Sequence, residues 1–234
     1  MKKSGKPIII EFNGITGCGK TTTANLLVEK LTSLGYEVGT FENLENSNKI
    51  IKNINFLFDM IRIKNLKIAS SLIKLCVSVR PFKIKRFDHI GMAYNYYYLF
   101  RSVAKKYTNY DYIIIDQGLI QEILSIFHTQ KIMDQSRMDN LLELIFNNLG
   151  YFLVVNCNLE PSLAKRRIKE RNSKKSRLDL VKNDEELLYK LRIQQNNLEV
   201  LREVIEKNSS EKAVEIDMDK SPSENIEKII EEIL

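Results

Sequence analysis

The chain has 234 residues, 44% of them hydrophobic and 28% charged, with only nine glycines and four prolines, which excludes a disordered or fibrous protein. No run of eighteen uncharged apolar residues is present, so no segment is expected to span a membrane. The net charge of +6 is concentrated: residues 61–86 hold eight basic side chains and no acid, residues 165–177 hold eight and one acid, and the remainder is net negative.

A protein that coats a nucleic-acid backbone spreads its positive charge along one face. Two discrete patches suit small anions, so nucleic acid is not an expected partner. Three cysteines, Cys18, Cys76 and Cys157, have no metal-ligand spacing, and a reduced, cytoplasmic compartment is expected.

In chain order, residues 7–13 are a short β-branched run that predicts a buried first strand. Residues 19–34 repeat apolar side chains at helical spacing (Ala24, Leu26, Leu27, Leu31), and Gly35 stops them. Residues 36–41 read as a second strand. Residues from about 47 to 108 read as helical, broken near Pro81. Residues 112–115 are a third strand, followed by helical sequence to about 148, and residues 151–155 are a fourth. Helices of roughly 12 and 20 residues flank a basic linker at 172–177. Residues 213–216 are a weaker fifth strand, and 223–234 a closing helix. Strands alternating with helices predict an α/β fold, a doubly wound five-stranded parallel sheet in a single domain spanning 1–234.

Residues 14–21, Gly-Ile-Thr-Gly-Cys-Gly-Lys-Thr, fit G-x-x-x-x-G-K-[ST] in full, between a predicted strand and a predicted helix. The glycines let backbone N–H groups turn inward around a phosphate, and the helix N-terminus adds partial positive charge. Gly14, Ile15, Thr16, Gly17, Cys18, Gly19, Lys20, Thr21 and Thr22 are therefore the candidate cradle for ATP. Lys20 would reach the β- and γ-phosphates, and the Thr21 hydroxyl would ligate Mg²⁺. Asp116 follows the third strand at its carboxyl end, where a second Mg²⁺ ligand is expected; its alternative is a helix cap. Arg167 and Arg171, four apart, share one helix face and would clamp a transferring phosphoryl group. A solvated basic face is the alternative for them.

These stretches resemble the thymidylate kinases and deoxynucleoside kinases, as do residues 30–38, 163–171 and 216–222. The resemblance implies a P-loop kinase fold with a basic lid at about 165–180, in which Arg167 and Arg171 fall where the lid arginines sit. It implies a helical acceptor-binding segment at about 45–108. Glu42 falls near the nucleoside kinases' catalytic carboxylate. Three departures mark the acceptor side: Thr16 stands where an Asp is usual, Asn13 where a Glu is usual before Gly14, and Gln117 where an Arg is usual after Asp116.

Tyr94 and Arg101 are candidate acceptor contacts, since aromatic rings stack on bases and guanidinium binds phosphate; helix core is the alternative for the tyrosines. Within the basic segment, Leu66, Leu72, Ile73 and Cys76 are expected on the apolar face of an amphipathic helix. Docking on a membrane surface is a minor alternative there. His89 and His128 have no partners at metal spacing and no role is expected of them. The expected activity is ATP-dependent phosphoryl transfer to a nucleoside or nucleoside monophosphate. A kinase of another small molecule and a nucleotide-binding regulator or nucleic-acid-associated ATPase stand as alternatives, and a homodimer is left open.

Overall fold

The computed structural model describes residues 7–40, 63–78, 86–106, 109–127, 130–132, 135–147, 152–171, 176–208 and 213–234. The strands are β1 (Ile8–Gly14), β2 (Val38–Thr40), β3 (Tyr112–Ile115), β4 (Phe152–Asn158) and β5 (Ala213–Asp217). They form one all-parallel sheet in the order β2-β3-β1-β4-β5. The α/β reading and its five parallel strands hold. The described helices are α1 (Lys20–Ser33), α2 (Ile63–Ser78), α3 (Arg86–Lys106), α4 (Leu119–Ile126), α5 (Gln135–Phe146), α6 (Pro161–Glu170), α7 (Asp184–Asn208) and α8 (Pro222–Ile233). None is long and apolar enough to cross a membrane.

A central parallel strand is covered on both faces, so it must be apolar nearly throughout. Ile9, Ile10 and Phe12 of β1 are buried, as are all four residues of β3. Around them, Leu27 and Leu31 of α1, Ile123 of α4, Leu141 of α5 and Leu201 of α7 belong to one contiguous core.

The structure differs from the sequence reading in four places. β2 is shorter than residues 36–41, because Gly35 turns with φ 87° and the Tyr36 N–H still bonds Leu31 O, finishing α1. The helical stretch after β3 is broken between α4 and α5. Asn197 of α7, itself buried, satisfies that break: its Nδ2 donates to Phe127 O and Gln130 O, and its Oδ1 accepts from Ile132 N. The linker before α7 contains a one-turn 3₁₀ helix at Arg177–Leu180, capped by Ser176 and Asp179. Finally, α2 is rotated from the expected wheel. Asn65, Ile68, Leu72, Leu75 and Cys76 are buried, while Leu66 and Ile73 are exposed. The buried Asn65 amide, which takes bonds from α3, sets that rotation.

One buried group in β1 is a carboxyl. Glu11 is fully buried, and its Oε1 accepts from Ile120 N at 2.8 Å and Gln121 N at 3.1 Å in the first turn of α4. A Cβ on Gly118 would lie 2.8 Å from Glu11 Cδ, so only glycine leaves room for this contact. Burial raises the Glu11 carboxyl to about 8; the helix N–H bonds oppose that shift without cancelling it.

Glu11 is therefore a neutral acid near pH 7, while in the unfolded chain it ionises at its ordinary 4.5. Between 4.5 and about 8 the folded state holds a proton that the unfolded state has lost. Stability should fall as pH rises through that window and level off above it. Denaturant unfolding below, inside and above the window should show this slope in the wild type and its loss in Glu11→Gln, which keeps the Oε1 acceptor.

Candidate functional site

β1 ends at Gly14 and α1 begins at Lys20, so the glycine-rich motif is the turn between them. Gly17 and Gly19 have φ of 82° and 110°, a left-handed backbone that side chains rarely adopt. The turn is also tight. A Cβ on Gly17 would lie 2.7 Å from Ile168 Cγ1 of α6, and one on Gly19 would lie 3.0 Å from Met218 Cε after β5.

The N-terminus of α1 has no side-chain cap and no acid in its first turn, whereas α6 is capped by Glu160 and α8 by Ser221. The first N–H groups of α1 and its positive dipole end are thus left for an anion. Lys20 is 7% exposed, and its ammonium donates to Gly14 O at 2.9 Å and Ile15 O at 3.0 Å. The Thr21 hydroxyl donates to Asp116 Oδ2 at 2.6 Å. That contact joins the start of α1 to the residue after β3, and it sets a hydroxyl and a carboxylate side by side, the donor pair a hard cation such as Mg²⁺ takes. Thr22 is exposed on α1.

Further side chains hold the loop. Thr16 N donates to Gln194 Oε1 of α7 at 3.0 Å. Arg167 donates to Cys18 O and to Met218 O, each at 3.0 Å, tying the loop to the segment after β5. Arg171 lies one turn further and bonds Asp179, with its Nε at 3.2 Å from Oδ1. Gln194 was not foreseen: one glutamine on a long amphipathic helix has no spacing that marks it.

On the acceptor side, Asn65 Oδ1 accepts from Arg101 Nη1 at 2.7 Å and from the Tyr97 hydroxyl at 3.3 Å. Tyr94 is buried, its ring 6.0 Å from that of Tyr97, which is the core position. Gln117 is exposed beside Asp116. Glu42 and His128 lie outside the described residues.

His89, expected to be idle, is not. Its Nδ1 is 2.8 Å from Glu122 Oε2 of α4, and its Nε2 is 2.6 Å from Arg177 Nη2 in the 3₁₀ turn. Arginine only donates, so Nε2 must accept and Nδ1 carries the proton shared with Glu122. His89 and Glu122 are both buried. The chain Glu122–His89–Arg177 fastens the 3₁₀ turn to α3 and α4.

A cavity of about 570 Å³ opens on the far side of Ile15, at the carboxyl ends of β4 and β5. Glu160, Glu199, Asp217 and Asp219 line it with Arg202, so its lining is net negative and disfavours phosphate.

Replacing His89 with Ala would leave the buried Glu122 carboxylate and the Arg177 guanidinium without this partner. A loss of about 1–3 kcal/mol is expected, read as a fall in thermal midpoint.

No family signature matches the chain, and no curated protein matches it in sequence. Solved structures do match. Deoxyadenosine kinase from M. mycoides with dCMP and dCDP bound is 18% identical, covering 96% of this chain and 97% of that one, with a TM-score of 0.50. The same enzyme with dATP bound is 20% identical over 96% and 97%, with a TM-score of 0.49. The YorR protein from Bacillus subtilis, in complex with phosphorylated GDP, is 16% identical over 95% and 93%, with a TM-score of 0.43. A parallel sheet ordered β2-β3-β1-β4-β5, with a glycine-rich loop after β1 and a deoxyadenosine kinase superposing along nearly its whole length, gives this chain the fold of the P-loop nucleoside kinases.

Proposed function

We propose that this chain transfers the γ-phosphoryl group of ATP to a hydroxyl of a nucleoside. The observation that carries the reading is the meeting of Lys20, Thr21 and Asp116 at the uncapped start of α1, with Thr21 Oγ1 2.6 Å from Asp116 Oδ2. The likeness in fold to a deoxyadenosine kinase supports it.

When bound, Mg·ATP would supply the transferable phosphoryl group and the metal's charge. The backbone of Gly14–Thr22 would bind the phosphates, and Lys20 would exchange its two loop carbonyls for phosphate oxygens. Thr21 and Asp116 would hold Mg²⁺. Arg167 positions the loop through Cys18 O and Met218 O, and Arg171 would leave Asp179 to meet charge developing on the phosphoryl group. Glu42, two residues beyond β2, would orient and deprotonate the acceptor hydroxyl.

A neutral acceptor is favoured over a nucleotide by the residues at the strand ends. Asn13 is the last residue of β1 but one and Gln117 is the second residue after β3, so the acid and the arginine usual at those places in the resembling kinases are both replaced by uncharged amides. Arg101, the other cation offered to an acceptor phosphate, is bonded to Asn65.

The direct experiment incubates the protein with ATP, Mg²⁺ and a panel of nucleosides, nucleoside monophosphates and sugars, with products read by mass. A nucleoside should gain one phosphate. Transfer only to a monophosphate or a sugar would replace the proposed acceptor, and ATP hydrolysis without transfer would remove the kinase reading.

Lys20→Ala should lower turnover on the order of 10²-fold or more with the fold retained. Arg171→Ala should lower kcat more than it weakens ATP binding, because its charge would act mainly in the transition state. Arg167→Ala should do the reverse and raise the KM for ATP, since its two bonds hold the loop.

The acceptor class is split by two variants. With a neutral acceptor, Glu42→Gln should abolish transfer and Arg101→Ala should leave the ratio of acceptor KM to ATP KM near that of the wild type. With an anionic acceptor, Arg101→Ala should raise the acceptor KM alone.

A further inference from the structure

We propose that Cys18 and Cys157 are an oxidisable thiol pair whose disulfide closes the phosphate loop to nucleotide. The two residues meet around Gly14. The β1–β4 register sets Gly14 opposite Cys157. A Cβ on Gly14 would lie 2.8 Å from Cys18 Sγ and 3.0 Å from Cys157 Cβ, so the absent side chain is the space through which the loop sulfur reaches β4. The two cysteine side chains thus stand against the same glycine from neighbouring sides.

The surroundings make the two sulfurs unequal. Lys20 Nζ is 3.7 Å from Cys18 Sγ. The neighbouring Cys157 thiol holds the Cys18 thiol below its ordinary range; burial opposes this, and the Lys20 charge adds to it. The Cys18 neighbour and burial push Cys157 up, so it stays the proton donor. Both residues are buried, but Cys157 lines the cavity of about 570 Å³ beside Ile15, which gives a small oxidant an approach from behind the loop. Cys76, the third cysteine, is buried in α2 and serves as the internal control.

Hydrogen peroxide is the oxidant. The Cys18 thiolate attacks one peroxide oxygen, the O–O bond breaks, and the hydroxide released takes a proton to become water, leaving Cys18 as sulfenic acid. The Cys157 sulfur then attacks the Cys18 sulfur, and its thiol proton leaves with the sulfenic hydroxyl as a second water. Two electrons pass from the thiol pair to peroxide, and a dithiol reductant returns them. Drawing the sulfurs together to a bond of about 2.05 Å pulls Cys18 onto β4 and displaces the adjoining Gly19 and Lys20. This loss of nucleotide binding rests on the loop being the phosphate site; the thiol pairing does not.

The test treats the intact protein with hydrogen peroxide, caps remaining thiols with an alkylating agent, and maps peptides by mass. The expected product is a Cys18–Cys157 cross-link with Cys76 still alkylated. ATP affinity should fall on the order of tenfold or more, about 1.4 kcal/mol or more, and return with a dithiol. Cys157→Ser should keep its ATP affinity under peroxide, and Cys76→Ser should lose it as the wild type does. If Cys157→Ser does not fold, the peptide map of the wild type decides. Oxidation of Cys18 to sulfinic acid without a cross-link, or a cross-link that leaves ATP affinity unchanged, overturns the proposal. If the reduced protein binds no ATP at all, the kinase reading fails instead, and the peptide map still decides for or against the thiol pair.

Discussion

The pairing of β1 with β3 on one side and β4 on the other governs the rest of the structure. Parallel register carries all three strands to the same edge of the sheet, so the loop after Gly14, Asp116 after β3 and Cys157 of β4 arrive together. No loop has to travel far to bring Thr21 to Asp116. The burial of isoleucine along β1 and β3 holds that register, since a slip of one residue would exchange the two faces of each strand.

The same burial makes polar residues in the central strands costly; Asn13 of β1 is buried with neither of its side-chain polar atoms hydrogen-bonded, whereas others are engaged. Glu11 keeps its proton and braces the first turn of α4. Further across the sheet, Asn156 and Asn158 donate to Glu215, which also faces Arg202 of α7. These groups line the carboxyl-end half of one sheet face, so hydrogen bonds and not apolar contact set the spacing there between sheet and helices.

The fold was legible because strand and helix periods alternate cleanly and the glycine-rich turn has a full signature. The meeting of Thr21 with Asp116 beside Lys20 at the start of α1 was legible for the same reason: each is marked by what precedes it in sequence. What could not be read was long-range. Nothing in the spacing of Gln194, Asn197 or His89 announces that each is bonded to a distant element, because a lone polar residue on a helix looks alike whether it meets solvent or backbone. The orientation of α2 escaped for a related reason. Its buried face includes Asn65, which a hydropathy wheel assigns to water, and the partners that justify its burial are on α3. Arg167 was expected to clamp a phosphoryl group, and it is bonded to the Cys18 and Met218 carbonyls; a count of charges cannot tell such a guanidinium from one open to solvent.

α7 is one helix of 25 residues, about 37 Å long at the usual rise. Along it, Gln194 grips the phosphate loop, Asn197 the break between α4 and α5, and Arg202 the β4–β5 edge. One helix holding three places fixes their spacing: Gln194 to Arg202 is eight residues, about 12 Å at the usual rise. The glycine-rich loop, the α4–α5 break and the β4–β5 edge are therefore spaced by one stretch of helix, and a helix-weakening change between Gln194 and Arg202 would free that spacing while leaving the strand pairings in place.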